Sequence, residues 1–185
     1  MRIIAGSRKG LRLAELGAGD EAARLRPTSD RVRESLFNML WANHRLPGPE
    51  TRVLDLFAGT GALGLEALSR GAAHAVFVET GRIALKVLRA NLARAAMAAC
   101  AQVIARDATR IGSAKGPPCS LVFLDPPYGQ GLGAPALAAA REGGWLADGA
   151  IVAWEDAAAQ PAPQGFAVLD ARSFGKTHIT LMQTA

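Results

Sequence analysis

Four consecutive residues, Asp125-Pro126-Pro127-Tyr128, carry the most specific chemistry in the sequence. They follow an apolar run, Leu121 to Leu124, of strand length. Each proline lacks an N–H and fixes φ, so the segment can join neither a helix nor a central ladder and makes a rigid turn at the strand's carboxyl end. The turn offers two acceptors, the Asp125 carboxylate and the Pro126 carbonyl, beside the flat face of Tyr128. That set suits an exocyclic amine on a nucleobase. The lone pair of such a nitrogen is delocalised into the ring, and what it needs is acceptors for its two hydrogens. Those bonds become charge-assisted as the nitrogen gains positive character during attack on a methyl group. The aromatic face holds an unstacked base in the plane that in-line transfer requires.

A second stretch, Val53 to Leu68 (VLDLFAGTGALGLEAL), places Gly59, Gly61 and Gly64 at the G-x-G-x-x-G spacing usually associated with dinucleotides. Asp55 argues against that ligand. Its carboxylate sits at the strand end, and two like charges about 4 Å apart at an effective dielectric near 20 repel by roughly 4 kcal/mol. A diphosphate is penalised there and a cation rewarded. No Gly-Lys-Ser/Thr follows the loop, so a Walker-type nucleotide site is also excluded. S-adenosylmethionine, with an ammonium and a sulfonium and no phosphate, fits. Glu79 closes the next strand pattern, HAVFVET, twenty positions after Gly59, the usual separation for a ribose-binding carboxylate. Asp107 ends a third, AQVIARDATR; the D-x-F-x-G-x-G run resembles the cofactor motif of class I methyltransferases, and that resemblance makes Asp107 the candidate adenine contact.

These residues have to be carried by alternating strands and helices. The run before the glycines reads as a strand and ALGLEALSRGA as the helix after them. GAIVAWED supplies a fifth strand, with Trp145 and Trp154 expected in the core. FAVLDARSFGKTHITLM closes the sheet as an antiparallel hairpin. The expectation is an α/β fold of the Rossmann-like, class I methyltransferase type: a mainly parallel seven-stranded sheet with helices on both faces. Ahead of it, RIIAGSRKGLRL reads as a β-hairpin turning at Ser7 to Gly10 and projecting Arg2, Arg8, Lys9 and Arg12. LRPTSDRVRESLFNMLW then starts a helix near Pro27 to Asp30 with Val32, Leu36, Met39 and Leu40 on one face.

Length and charge set the frame. The 185 residues fit a single domain, residues 1–50 forming an extension and 51–185 a catalytic core. Residues 1–45 hold nine Lys or Arg against five Asp or Glu, whereas the remainder is nearly neutral. A basic leader on a neutral body suits contact with phosphates. No apolar run reaches the roughly 18 residues of a membrane span, and MRIIAG is too short for a secretion signal, so a cytoplasmic protein is expected. Cys100 and Cys119 are not closely spaced and His44, His74 and His178 are scattered, so no metal is expected.

The string R-P-T-S-D-R-V-R-E-S-L-F-N-M-L, preceded by R-I-I-A-G and followed by D-L-F-A-G-T-G-A-L-G and D-P-P-Y, closely resembles the bacterial RsmD family of 16S rRNA guanine-N2 methyltransferases. The resemblance runs from Arg2 to the terminal FGKTHITLMQ. It implies S-adenosylmethionine as cofactor. It assigns Asp55, Phe57, Ala58, Gly59 and Gly61, then Glu79, Thr80, Asp107 and Ala108, to that cofactor, with Thr28 in an Arg26 to Asp30 loop closing over its methionine end. Asp125 to Tyr128 fall to the base, and Arg26 and Arg31 join the hairpin cations on the nucleic acid. The implied partner is 16S rRNA in the small ribosomal subunit or an assembly intermediate, met by a monomer at one guanine of the subunit head. Two positions depart from the family pattern: Thr80-Gly81 replaces a longer polar pair, and Phe174 stands where an aromatic hydroxyl is common. The residues alone also admit a DNA adenine-N6 methyltransferase, a dinucleotide oxidoreductase or a nonenzymatic RNA-binding protein.

Overall fold

The computed structural model describes residues 1–16 and 29–185. Its frame is seven strands in one sheet: β1 (Arg52–Leu56), β2 (His74–Glu79), β3 (Ala101–Ala105), β4 (Cys119–Leu124), β5 (Leu146–Asp156), β6 (Phe166–Phe174) and β7 (Thr177–Thr184). They lie in the order β3-β2-β1-β4-β5-β7-β6. The first five are parallel, and β7 joins β5 and β6 antiparallel, as the sequence led us to expect. The order reverses at β1 and β4, which leaves a crevice at their carboxyl ends.

Helices cover both faces. On one lie α1 (Asp30–His44), α2 (Ala62–Ser69) and α3 (Arg82–Arg94), whose Phe37, Leu40, Leu65 and Leu88 share a core with Phe77 and Phe123. On the other, Ala136, Leu137 and Ala140 of α4 (Gly133–Glu142) pack with Val122, Trp145 and Trp154. With both faces covered, β1, β2 and β4 read as continuous apolar runs. Both tryptophans are buried, in accord with the sequence reading, and Trp145 Nε1 donates to the Gly112 carbonyl at 2.7 Å.

Register places the strand ends side by side. Leu56 pairs with Val78 and Leu124, and Leu124 with Trp154, so Glu79, Asp125 and Glu155 emerge along one edge. Strand β5 begins at Leu146, earlier than its GAIVAWED core, across an irregularity opposite Cys119 to Leu121. Strand β3 stops at Ala105, and Asp107 caps the short turn Ala108–Arg110 beyond it.

Helix α1 begins where the sequence placed it, Ser29 accepting from the Val32 N–H. Its buried face also holds Phe37 and Arg33, the latter fully buried with Nη2 donating to the Arg2 carbonyl at 2.6 Å and to Asp30 Oδ1 at 2.7 Å.

The N-terminal hairpin needs correction. A single bridge, Arg2 opposite Arg12, and three ladder bonds from Ile3, Gly10 and Leu13 replace two regular strands. The reversal falls where the sequence placed it, and is built of a helical turn at Gly6–Arg8 running into a turn at Lys9 and Gly10, with Leu11 N donating to the Arg8 carbonyl at 3.1 Å. The cause is competition from α2. The buried Glu66 carboxylate accepts from Ile4 N (2.7 Å) and Ala5 N (3.0 Å), while Ser69 Oγ accepts from Arg8 N and donates to the Ala5 carbonyl. The chain is fastened along α2 by these side chains, so its backbone groups do not need a ladder.

Candidate active site

The carboxyl ends of β1, β2 and β4 open into a cavity of about 540 Å³, within the range of small-molecule sites. Most residues predicted for the cofactor line it. Asp55, Phe57, Ala58 and Gly59 come from the end of β1 and its loop, Glu79 and Thr80 from β2, and Asp107 and Ala108 from beyond β3. The four residues Asp125 to Tyr128 line the same space. Gly61 lies just behind the wall. Thr28 and Arg26, with most of the Arg26 to Asp30 closing loop, fall outside the described residues.

The glycines divide their work. Gly61 (φ +81°) caps α2, and a Cβ there would meet Leu88 Cδ1 at 2.4 Å; one on Gly64 would meet Phe77 Cε1 at 2.3 Å. Gly61 thus makes room for Leu88 of α3, and Gly64 lets α2 pack on Phe77 of β2. At Gly59 (φ +54°) a Cβ would meet nothing within 4 Å, so this residue keeps its backbone bare toward open space. Phe57, one of three non-glycine residues with positive φ among those described, turns the chain into the loop at φ +63°. That costs a bulky residue backbone strain, which recurs at ligand-binding turns.

Three carboxylates brace this half through backbone N–H groups. Asp55 Oδ2 accepts from Gly64 N at 2.9 Å. Its pKa is nonetheless pushed up to about 7, by burial first, partly offset by the Gly64 N–H, with Glu79 raising it further. Glu79 accepts from Gly59 N at 2.8 Å through Oε2, and from Thr80 N (2.8 Å) and Gly81 N (2.6 Å) through Oε1. It therefore holds the glycine loop as well as facing the cavity. Asp107 Oδ1 accepts from the Thr109 N–H and hydroxyl, both at 2.8 Å, and these bonds hold its carboxyl below the usual range.

The Asp-Pro-Pro-Tyr turn is different. Asp125 is raised well above the usual carboxylate range, by burial first and then by the carboxylates of Glu155, Asp55 and Asp156. Tyr128 keeps 38% of its surface exposed while its hydroxyl donates to Glu155 Oε1 at 3.2 Å. Burial is the main reason its pKa is pushed up to about 12.

Glu155 was not singled out from the sequence. The signal was there: a buried carboxylate at the end of the apolar run IVAW, on the strand next to Asp125. Arg106, Gln130 and Leu132, also unforeseen, line the cavity. Among the described residues no group of three His, Cys, Asp or Glu side chains could hold a metal ion, and no helix is long and apolar enough to cross a membrane.

The proposed nucleic-acid cations spread along the extension. Arg2, Arg8, Lys9, Arg12 and Arg31 are all exposed. The open end of the hairpin reaches the cavity through Met1 and Leu16, whereas its turn is fastened at Ser69, the far end of α2. Eight residues of helix, about 12 Å at 1.5 Å per residue, separate Arg8 and Lys9 from the cavity rim. Arg8 Nε donates to the Ala95 carbonyl at 2.6 Å, which directs its side chain along the body of the molecule.

The sequence profile of the family Conserved hypothetical protein 95 matches residues 1–183. Ribosomal RNA small subunit methyltransferase D of Escherichia coli K12 is 41% identical over 155 residues, covering 82% of this chain and 72% of its own. The Haemophilus influenzae protein of that name is 33% identical over 188 residues, covering 99% and 93%. The solved structure of Escherichia coli yhhF superposes with a TM-score of 0.83 at 38% identity, covering 100% of this chain and 97% of that one.

Proposed function

The chain belongs to the Conserved hypothetical protein 95 family, the RsmD family of rRNA methyltransferases, and from that premise we propose that it transfers a methyl group from S-adenosylmethionine to the exocyclic N2 of a guanine in 16S rRNA. The observation that carries this reading is the meeting of two sets of residues in one cavity: Asp55, Glu79 and Asp107 on one side, Asp125 to Tyr128 on the other.

The first set fits the cofactor. A wall carrying Asp55, Glu79 and Asp107, in which Arg106 donates to the Ile111 carbonyl at 3.3 Å, suits a cation bearing a ribose diol, and the bare backbone at Gly59 leaves room for close approach. Phe57, Ala58, Thr80 and Ala108 fill further parts of that wall, and Gly61 lets Leu88 of α3 pack close behind it. When bound there, S-adenosylmethionine supplies an electrophilic methyl group on a sulfonium. Asp55 and Glu79 hold the glycine loop in place through Gly64 N and Gly59 N, so the cradle is formed in advance.

The second set handles the base. Asp125 and the Pro126 carbonyl accept the two N2 hydrogens, and Pro127 keeps the turn rigid. The raised basicity of Asp125 suits it to hold the proton that N2 gives up once the new bond has formed. Tyr128, half exposed at the rim, offers the ring on which the extruded base lies. Arg2, Arg8, Lys9, Arg12 and Arg31 extend the contact along the phosphates, working from one catalytic domain as a cytoplasmic monomer on the small subunit or an assembly intermediate.

The test is to incubate the protein and methyl-deuterated S-adenosylmethionine with small subunits from a strain lacking the gene, then weigh the nucleosides. Labelled N2-methylguanosine is expected. Labelled N6-methyladenosine would replace the target base, and no label in subunits, free rRNA or DNA would leave a binding protein.

A further inference from the structure

Asn91 lies on α3 among Ala84, Leu88 and Leu92, at a core-facing position of an otherwise apolar stripe, and is completely buried. Its amide joins two segments distant in sequence. Oδ1 accepts from Ala14 N at 2.7 Å, and Nδ2 donates to the Ala14 carbonyl at 3.1 Å and to the Thr60 carbonyl at 2.9 Å. One N–H and two carbonyls around the group admit a single orientation of the amide and use both of its donors. No isosteric apolar residue or carboxylate can make this set.

The two segments are the ones that bind. Thr60 stands between Gly59 and Gly61 in the cofactor loop and lines the cavity. Ala14 ends the docked hairpin, two residues before Leu16, which lines the same cavity. The loop is thus fixed from one side by Glu79 on Gly59 N and from the other by Asn91 on the Thr60 carbonyl. Only the second brace also holds the extension. Any shift of the loop on filling the cavity is therefore passed to Ala14 through one rigid group.

We propose that Asn91 is a positioning residue that couples the cofactor loop to the N-terminal extension, so that occupation of the cavity and grip on the RNA strengthen each other. This rests on the reading of the cavity as the cofactor site and of the extension as an RNA contact. Coupling of this kind is reciprocal, and typical values are about 5- to 150-fold.

The experiment measures binding of unmethylated small subunits to the full chain with and without saturating S-adenosylhomocysteine, which fills the cavity without turnover. The wild-type protein is expected to bind subunits about tenfold more tightly with the cavity filled. In Asn91→Asp, the new carboxylate oxygen faces two carbonyls, and the ratio is expected to fall to about one. Ala14→Pro deletes the N–H that Asn91 Oδ1 accepts, while also fixing φ at that position and restricting the backbone of Leu13, and is expected to lower the ratio as well, giving a second route to the same bond if an Asn91 variant fails to fold. A ratio near one in the wild type, or an unchanged ratio in both folded variants, overturns the coupling. If S-adenosylhomocysteine does not bind at all, the cofactor reading itself fails and takes the coupling with it.

Discussion

The two halves of the cavity treat their carboxylates in opposite ways. On the side assigned to the cofactor Asp55, Glu79 and Asp107 each accept backbone N–H groups, and in doing so fix the loops that carry them. On the side assigned to the target base Asp125 is crowded by Glu155, Asp55 and Asp156, with burial and like charge both raising its pKa and, among the described residues, no hydrogen bond to offset them. The first arrangement spends its carboxylates on preorganisation. The second leaves an acceptor whose partners have to arrive with the substrate, and whose bonds are then strongest when positive charge develops on them.

The largest effect that can break this contrast is at Asp125. Asp125→Ala is expected to leave cofactor affinity within a few-fold, read by calorimetry, and to lower single-turnover methylation by about 10² to 10³, as for loss of one preorganised polar contact. Comparable losses in affinity and rate would show that the target side also builds the cofactor cradle, and the two halves would not be separable.

Next in size are the glycines. Gly64→Ala drives a methyl group to within 2.3 Å of the Phe77 ring and is expected to cost about 1–3 kcal/mol of stability, seen in denaturant unfolding. Gly59→Ala meets no protein atom; only its φ of +54° is unfavourable, at about 1–2 kcal/mol. Its cofactor affinity should fall by more than its stability does. A reversed pattern would move the ligand away from the bare side of the loop.

These local strings were legible in the sequence because each carries its own constraint. Two prolines fix a turn wherever they stand, and a glycine triplet between a strand and a helix has few uses. What escaped depends on neighbours brought together by the sheet. Glu155 matters because β5 lies beside β4, and Asn91 because α3 packs between the loop and the extension. The hairpin was half legible: the chain does double back between Arg2 and Arg12, but the sequence could not show that Glu66 and Ser69 of α2 would take over its backbone groups. Asp107 was placed at a strand end and caps a turn just beyond one, since its side chain competes for the local N–H of Thr109.

A smaller, graded test uses pH. With its pKa near 7, Asp55 is a mixture of neutral acid and anion at neutral pH, and the anion is the form that attracts a cation. Because the charged form accumulates as pH rises, affinity for S-adenosylmethionine is expected to increase about tenfold between pH 6 and pH 8, with protons released on binding. Calorimetry in two buffers of different ionisation enthalpy reads both quantities. Asp55→Asn should remove most of the slope. A slope of the opposite sign would mean that the cavity binds its ligand through the neutral acids.

The smallest effect distinguishes the ring of Tyr128 from its hydroxyl. The hydroxyl donates to Glu155 at 3.2 Å, a long contact, while the residue keeps 38% of its surface exposed at the cavity rim. Base–aromatic stacking is worth about 1–3 kcal/mol, and a typical side-chain hydrogen bond a net of about 0.5–1.5 kcal/mol. Tyr128→Phe is therefore expected to change kcat/KM by no more than a few-fold, whereas Tyr128→Ala should cost about ten- to a hundredfold. The two substitutions separate the functions because both sever the bond to Glu155 and only one removes the platform. If Phe proves as damaging as Ala, the Glu155 bond fixes the geometry of the target side, and that half of the cavity is preorganised by its own hydrogen bond in the way the cofactor half is by backbone N–H groups.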